Sequence, residues 1–272
     1  SIRRQRQMCI RDSPKNPAQH HLPRANALII LNDCQTGMPV AVMDGTLLSA
    51  MRTGAVGGIG AKYLAKKDSE TAALIGLGVQ ARTQALALKE ALPNLKDIRG
   101  WDPKETAAQA ARDIEKSTGI ATGAVRTPKD AVVGADVIVT ATVADEPIVK
   151  DSWVKKGSLF THIGSYVEEE YSVVLHSDKI VVDNWEVVKH RGTPVLARMF
   201  KEGLVRDGDV YANLDEVICG RKAGRVTDSE RIFFAPIGMA HEDVAVAYKV
   251  WQRAKKEGIG ETLTLWTQTT WV

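Results

Sequence analysis

The sequence predicts an α/β protein: a parallel sheet covered by helices, with a second, smaller α+β domain built from both chain ends. Three observations carry that expectation. Between residues 66 and 231, apolar runs rich in Val and Ile alternate with helical stretches, the pattern of a parallel sheet buried on both faces. One of those runs, TAALIGLG, ends in glycines and opens directly into a helix-forming stretch. The flanking segments, 14–65 and 232–272, read instead as a hairpin, a glycine-rich helix and a long charged helix. A chain of 272 residues has room for both domains.

The elements follow in order. ANALIILND and QTGMPVAVMD are apolar runs joined through Asp33 and Gly37, which reads as a β-hairpin. Asp44 or Thr46 caps a helix running through LLSAMRTGAVGGIGAKYLA. Gly54, Gly57, Gly58 and Gly60 are costly inside a helix, so their density implies close packing or a ligand. TAALIG is then a strand, VQARTQALALKEAL a helix, DIRGWDP a short strand and turn, and KETAAQAARDIEKSTG an Ala-rich helix ending at Gly119. TPKDAVVGA is a short helix, while ADVIVTATV, GSLFTHIGS and DKIVVDNW are further strands. After Trp185 come helical pieces around PVLARMFKEG and LDEVICGRK. The stretch IFFAPIGMAHEDVAVAYKVWQRAKKEG then reads as a helix, with Asp243 near its start, basic residues at its end and Gly258 as its stop. The closing LTLWTQTTWV alternates like a strand.

Composition excludes several partners. The formal net charge is +3. Residues 1–13 hold four arginines and one aspartate, so the remainder balances 32 basic against 32 acidic residues. A nucleic-acid footprint requires a basic patch on the folded domain, and none is expected here, nor an affinity for anionic membrane. No apolar run reaches membrane-spanning length. Cys9, Cys34 and Cys219 show neither metal-ligand spacing nor a paired framework, which fits thiols in a reducing cytoplasm and no metal. Residues 1–13 have no helical or strand pattern, and QRQMCIRDS resembles one translation of the transposon-end adapter used in sequencing libraries. The expectation is a non-native tail joined near Ser13.

The chemistry concentrates in a few places. Gly76, Gly78 and Ala81 form a G-x-G-x-x-A turn between strand and helix, the Rossmann arrangement for a dinucleotide pyrophosphate. Asp102, at the end of the DIRGWD strand, is placed to accept from the ribose hydroxyls and to repel a 2′-phosphate, which favours NAD. Arg82 and Lys104 lie close enough to leave NADP open. Thr140, Ala141 and Thr142 stand at a strand's carboxyl end, where small hydroxyl residues meet a cofactor or where a β-branched strand simply ends. Arg52 is a guanidinium on a small, apolar helix: a partner for a substrate carboxylate, or a surface arginine beside a glycine face. Glu168, Glu169 and Glu170 form either a solvated turn or a source of one general acid/base. His190 with Arg191 reads as surface more readily than as a carboxylate site. In IGMAHED, Gly238, Met239, His241 and Asp243 join a glycine turn to a helix start.

Taken together, MDGTLLSAMRTGAVGGIGAKYLAKKDSETAALIGLGVQA, GADVIVTATV, IVVDNW and IGMAHEDVAVAY resemble the ornithine cyclodeaminase/mu-crystallin family over roughly Ser13 to Trp266. That resemblance implies a homodimer in which a substrate and dimerisation domain, made from both chain ends, joins a Rossmann domain. It implies Arg52 on the substrate carboxylate and Thr53 near the nicotinamide. Gly76, Gly78, Val79 and Gln80 then line the pyrophosphate, Asp102 the ribose, and Gly238 and Met239 the nicotinamide. In cyclodeaminases NAD takes a hydride from the α-carbon of L-ornithine, the side-chain amine displaces ammonia, and the cyclic imine is reduced to proline. Two departures matter. Where that pattern has a catalytic Asp, this chain reads GSYVEEEYS, which puts Tyr166 there when aligned from the strand and Glu168 when aligned from HSDK, with Glu168 the best replacement acid. Relatives also carry further N-terminal residues that supply a lysine and an arginine to the substrate site, so a truncated chain is expected. HSDKIVVDNWE and GIGETLTLW resemble the opine-type branch that includes the dehydrogenase of siderophore 2,3-diaminopropionate synthesis. The implied activities are therefore an ornithine cyclodeaminase, an opine-type dehydrogenase or ketimine reductase, or a mu-crystallin-like cofactor and ligand binder.

Overall fold

The computed structural model describes residues 6–12, 16–265 and 267–268. The chain divides into two compact units, one of residues up to Ser49 with those from Ala240 onward, the other of Ala50–Met239. The first unit opens with β1 (Arg6–Asp12), α1 (Asn16–His20), β2 (Ala25–Asn32) and β3 (Pro39–Asp44). These strands form an antiparallel sheet in the order β1-β2-β3. The expected hairpin is β2–β3, and Asp33 shapes its loop by accepting from the Gln35 and Thr36 amides at 3.0 Å each. The expectation of an unpatterned tail is corrected for Arg6–Asp12, which pair with β2 from Arg6↔Leu31 to Asp12↔Ala25. The free edge of β2 offers a row of backbone groups, and such an edge takes up a strand without asking for an apolar pattern. Ser1–Gln5 and Ser13 of the expected tail lie outside the described residues.

Helix α2 (Thr46–Leu64) crosses from the first unit into the second, and Asp44 Oδ1 accepts the Thr46 amide at 2.9 Å where it starts. The second unit continues with β4 (Thr71–Ile75), α3 (Val79–Ala91), β5 (Asp97–Trp101), α4 (Ala107–Thr118) and β6 (Ala121–Ala124). Next come α5 (Pro128–Val132), β7 (Val137–Thr140), β8 (Leu159–His162), α6 (Tyr171–Leu175) and β9 (Lys179–Val182). The unit ends with α7 (Trp185–Val188), α8 (Val195–Lys201), β10 (Ala212–Asn213), α9 (Leu214–Ile218) and β11 (Ile232–Ala235). Its eight strands lie in the order β10-β9-β11-β8-β7-β4-β5-β6, and every pair is parallel. Successive side chains serve opposite faces. Ala72, Leu74, Val137, Val139, Leu159, Val181, Ile232 and Phe234 enter one hydrophobic cluster. Their neighbours Ala73, Ile75, Ile138, Phe160, Ile180, Val182, Phe233 and Ala235 enter another. That is why these strands read as continuous apolar runs rather than alternating ones.

The expected boundaries at 65 and 231 shift. Ile232–Ala235 form a strand between β8 and β9, so the sheet unit runs on to Met239, and most of α2 belongs to it as well. Helix α10 (Ala240–Glu257) returns to the first unit, where Ala247 packs with Ile29, Leu31 and Leu48. Among the described residues no helix is long and apolar enough to cross a membrane. The expected closing strand is not seen in residues 263–265 and 267–268, and the rest of it lies outside the described residues.

Candidate active site

Strand β4 continues to β5 on one side, whereas β7 and β8 lie on the other. The chain reverses direction across the sheet at β4/β7, and the crevice at the carboxyl ends of those strands is where such sheets bind ligands. Gly76 leaves β4 with φ +90°, a conformation other residues rarely take. A Cβ there would meet the Ala141 carbonyl and the Thr142 methyl at 2.8 Å each. Gly78 has open space where a side chain would stand. It precedes α3, whose first amides receive no side-chain cap, so backbone donors face that opening. A cavity of about 420 Å³ adjoins it, lined by Leu77, Gly78, Val79, Arg82, Asp102 and Lys104 among others. Asp102 accepts the Leu77 amide at 2.9 Å and the Lys104 amide at 3.0 Å, which binds the end of β5 to the turn. Arg82 pairs with Asp113 at 2.8 Å, so that guanidinium already has a carboxylate. A turn without side chains, free helix amides and a carboxylate at the cavity wall fit a dinucleotide. Gln80 is half-buried in the first turn of α3, and Val79 is exposed beside it.

Helix α2 lies against α3 through its glycines. A Cβ at Gly54 would stand 2.5 Å from the Thr83 carbonyl oxygen, one at Gly57 would overlap Gln84, and one at Gly60 would overlap Phe234. Packing therefore accounts for the glycine density. Gln84 Nε2 donates to the Thr53 carbonyl at 3.1 Å across the same contact. Arg52, one residue earlier and half-buried, lays its guanidinium where a side chain at Gly238 would be. Gly238 has φ +81° and donates its amide to Asp183 Oδ2 at 2.7 Å. Asp183, at the end of β9, is buried, and that burial pushes its pKa up against the backbone amides that hold it. Arg52, Gly238 and Asp183 thus form one contact chain, with Met239 next to it.

The ends of β7 and β8 carry the third group. Thr140 is buried, and Ala141 and Thr142 are half-buried beyond it. The Thr142 amide donates to Glu168. Glu168 and Glu169 are fully buried rather than solvated, and Glu168 occupies the volume a side chain at Gly164 would need. His162 Nδ1 lies 3.1 Å from Glu169 Oε2 and 3.6 Å from Glu168 Oε2. Glu170 instead accepts the Asp151 amide at 2.9 Å. The structure therefore places Glu168 inside the protein on a backbone amide, while half-buried Tyr166 sits two residues earlier. His190 and Arg191 are exposed, as a surface pair would be. His241 and Asp243 lie on α10 in the first unit. Sequence reading passed over His162 and Asp183. A histidine closing an apolar strand with acids six and seven residues on, and an aspartate ending IVV, were the available signals.

The profile of the ornithine cyclodeaminase/mu-crystallin family matches residues 7–258. An alanine dehydrogenase of Archaeoglobus fulgidus is 38% identical over 257 residues, spanning 93% of this chain and 78% of the relative. The solved structure of Thermococcus litoralis Delta(1)-pyrroline-2-carboxylate reductase, in complex with NADH and L-proline, superposes with a TM-score of 0.89 at 34% identity. It covers 95% of this chain and 80% of that one. An archaeal alanine dehydrogenase dimer with bound NAD superposes with a TM-score of 0.87 at 35% identity, over 96% and 81% of the two chains.

Proposed function

Because this chain belongs to the ornithine cyclodeaminase/mu-crystallin family, we propose that it is an NAD-dependent dehydrogenase or imine reductase working at the α-carbon of a small amino acid. Membership makes it an enzyme of that family, an NAD-dependent amino-acid oxidoreductase. The finer reading, dehydrogenase or reductase rather than cyclodeaminase, is carried by one observation. The segment in which cyclodeaminases have a catalytic Asp holds here a fully buried Glu168, fastened to the Thr142 amide and faced by His162.

Each residue then has a task. Arg52, steadied on Gly238, takes the substrate carboxylate in two parallel hydrogen bonds. Gly76, Gly78 and the first amides of α3, with Val79 and Gln80, receive the pyrophosphate. Asp102 faces the ribose, and the pairing of Arg82 with Asp113 supports NAD over NADP. Thr53, Thr140, Ala141, Thr142, Gly238 and Met239 border the nicotinamide. NAD supplies a hydride acceptor, and in its reduced form a hydride donor, next to the α-carbon. Oxidation leaves an imine and a proton from the amine; reduction consumes both. The archaeal alanine dehydrogenase is a dimer, and the same assembly is proposed here. Free, exposed Cys34 and Cys219 suit a reducing compartment, and the cytoplasm is the assignment.

The test is a substrate panel followed by NADH absorbance. NADH formed from L-alanine or L-proline, or consumed with pyrroline-2-carboxylate or an oxo acid and ammonia, supports the proposal. Proline and ammonia from L-ornithine without net NADH would assign a cyclodeaminase instead. Tight NADH binding with no turnover across the panel would overturn the proposed substrates.

A further inference from the structure

We propose that His162, Glu168 and Glu169 are positioning residues for the dinucleotide: a buried imidazole and two buried acids that hold the Thr142 amide against the Gly76 turn. The proposal rests on the NAD reading above and extends it to residues outside the cofactor cradle. The contact chain is continuous. Glu169 holds His162 Nδ1 at 3.1 Å, Glu168 lies beside the same nitrogen and accepts the Thr142 amide, and the Thr142 methyl fills the space that Gly76 leaves empty.

Charge explains why the cluster acts as one unit. All three residues are exposed by 1% or less. Strands β7 and β11 flank β8 and bring no ionisable group: Thr140 comes from β7, and the Phe233 ring of β11 stacks on His162 at 6.3 Å. Asp145 and Glu146, in the segment after Thr142, face solvent. Asp183 lies beyond β11 and serves Gly238. The cluster must therefore balance its own charge, since a buried, unpaired ion is strongly unfavourable. Burial alone would depress His162, but the Glu169 charge and hydrogen bond, with Glu168, outweigh it and push it up to about 9. Burial, with Glu169 adding, pushes Glu168 up against the pull of His162, towards its protonated form. A cationic imidazole beside an acid pushed towards its neutral form keeps the buried charge small. Above about pH 9 the cation is lost and two acids face each other without it. Glu168 then loses its fixed place, and the Thr142 segment no longer supports the turn.

The experiment is NADH binding, read by fluorescence titration across neutral and alkaline pH, on the wild type, Glu168→Ala, Glu168→Gln and His162→Gln, each checked by circular dichroism. The wild type should bind evenly at neutral pH and weaken above about 9. Glu168→Ala should raise the Kd about tenfold at neutral pH, the scale of one buried amide left without its acceptor. Glu168→Gln keeps an acceptor for the Thr142 amide and should recover most of that loss. His162→Gln should bind more weakly at neutral pH and lose the alkaline fall. If Glu168→Ala does not fold, wild type against His162→Gln decides: identical pH profiles overturn the proposal, as does a flat wild-type profile. Equal affinity in wild type and folded Glu168→Ala also overturns it, while leaving the NAD reading intact. A wild type that binds no NADH at any pH overturns that reading itself.

Discussion

Asp102 joins two strands of argument at the scale of a residue. It ties the end of β5 to the glycine turn and presents its carboxylate at the cavity where a ribose would lie. Asp102→Ala should weaken NADH by about tenfold, the worth of one charge-assisted pair, and change NADPH far less, so the preference narrows. Paired titrations with the two reduced nucleotides check this, and an unaltered ratio would remove Asp102 from the selectivity argument. Asp183 is the second case. Asparagine there keeps one acceptor but turns an amino group towards either the Asn184 or the Gly238 amide. Asp183→Asn should therefore raise KM for the amino acid, through Gly238 and Arg52, by a larger factor than it raises the Kd of NADH. Gly76, Gly78 and Asp102 were readable because one strand–helix–strand unit contains them all. Asp183 was not, since its partner Gly238 lies 55 residues away. Glu168 and Glu169 looked like a solvated turn, because adjacent acids usually face water; only the surrounding strands bury them.

At the scale of an element, α2 and the strands show what a one-dimensional pattern carries. The helix was legible from its cap and its length, and the purpose of its glycines only from α3. Gly54→Ala pits about 1 kcal/mol of helix propensity against a methyl 2.5 Å from the Thr83 carbonyl oxygen, a backbone atom that cannot swing aside. Overpacking of that kind costs about 1–3 kcal/mol, so the variant should melt at a lower temperature in a thermal denaturation. A higher melting temperature would mean that α2 and α3 can separate freely. The central strands β4, β7, β8 and β9 were readable as apolar runs. The edge strands β6 and β10 were not, because ATGA buries little, AN is only two residues long, and both are recruited by their neighbours' backbones. β11 hid because IFFA runs without a break into the turn before α10.

For the molecule as a whole, two buried ionic sites bound the pH range of stability. Asp136 accepts the Glu70 and Thr71 amides at 2.9 and 3.1 Å and pairs with Lys155 at 2.7 Å. Burial raises its pKa, but those partners together hold it well below the ordinary carboxylate value. A depressed carboxylate stabilises the fold above its unfolded value near 4 and ceases to do so as pH falls through the folded one. His162 works in the opposite sense: its contribution is complete below its unfolded value near 6.5 and vanishes as pH rises through about 9. Urea unfolding midpoints should fall below about pH 4 and fall again on the alkaline side, the alkaline fall being smaller in His162→Gln. A midpoint rising steadily towards pH 10 would contradict this. Sedimentation velocity should give twice the chain mass.

Gly164 and Glu168 occupy one volume between them, since the carboxylate stands where a side chain at 164 would have to be. The two positions are thus bound in evolutionary exchange. A residue shortened at 168 frees the space at 164, and a side chain added at 164 has to displace the Glu168 carboxylate from its place.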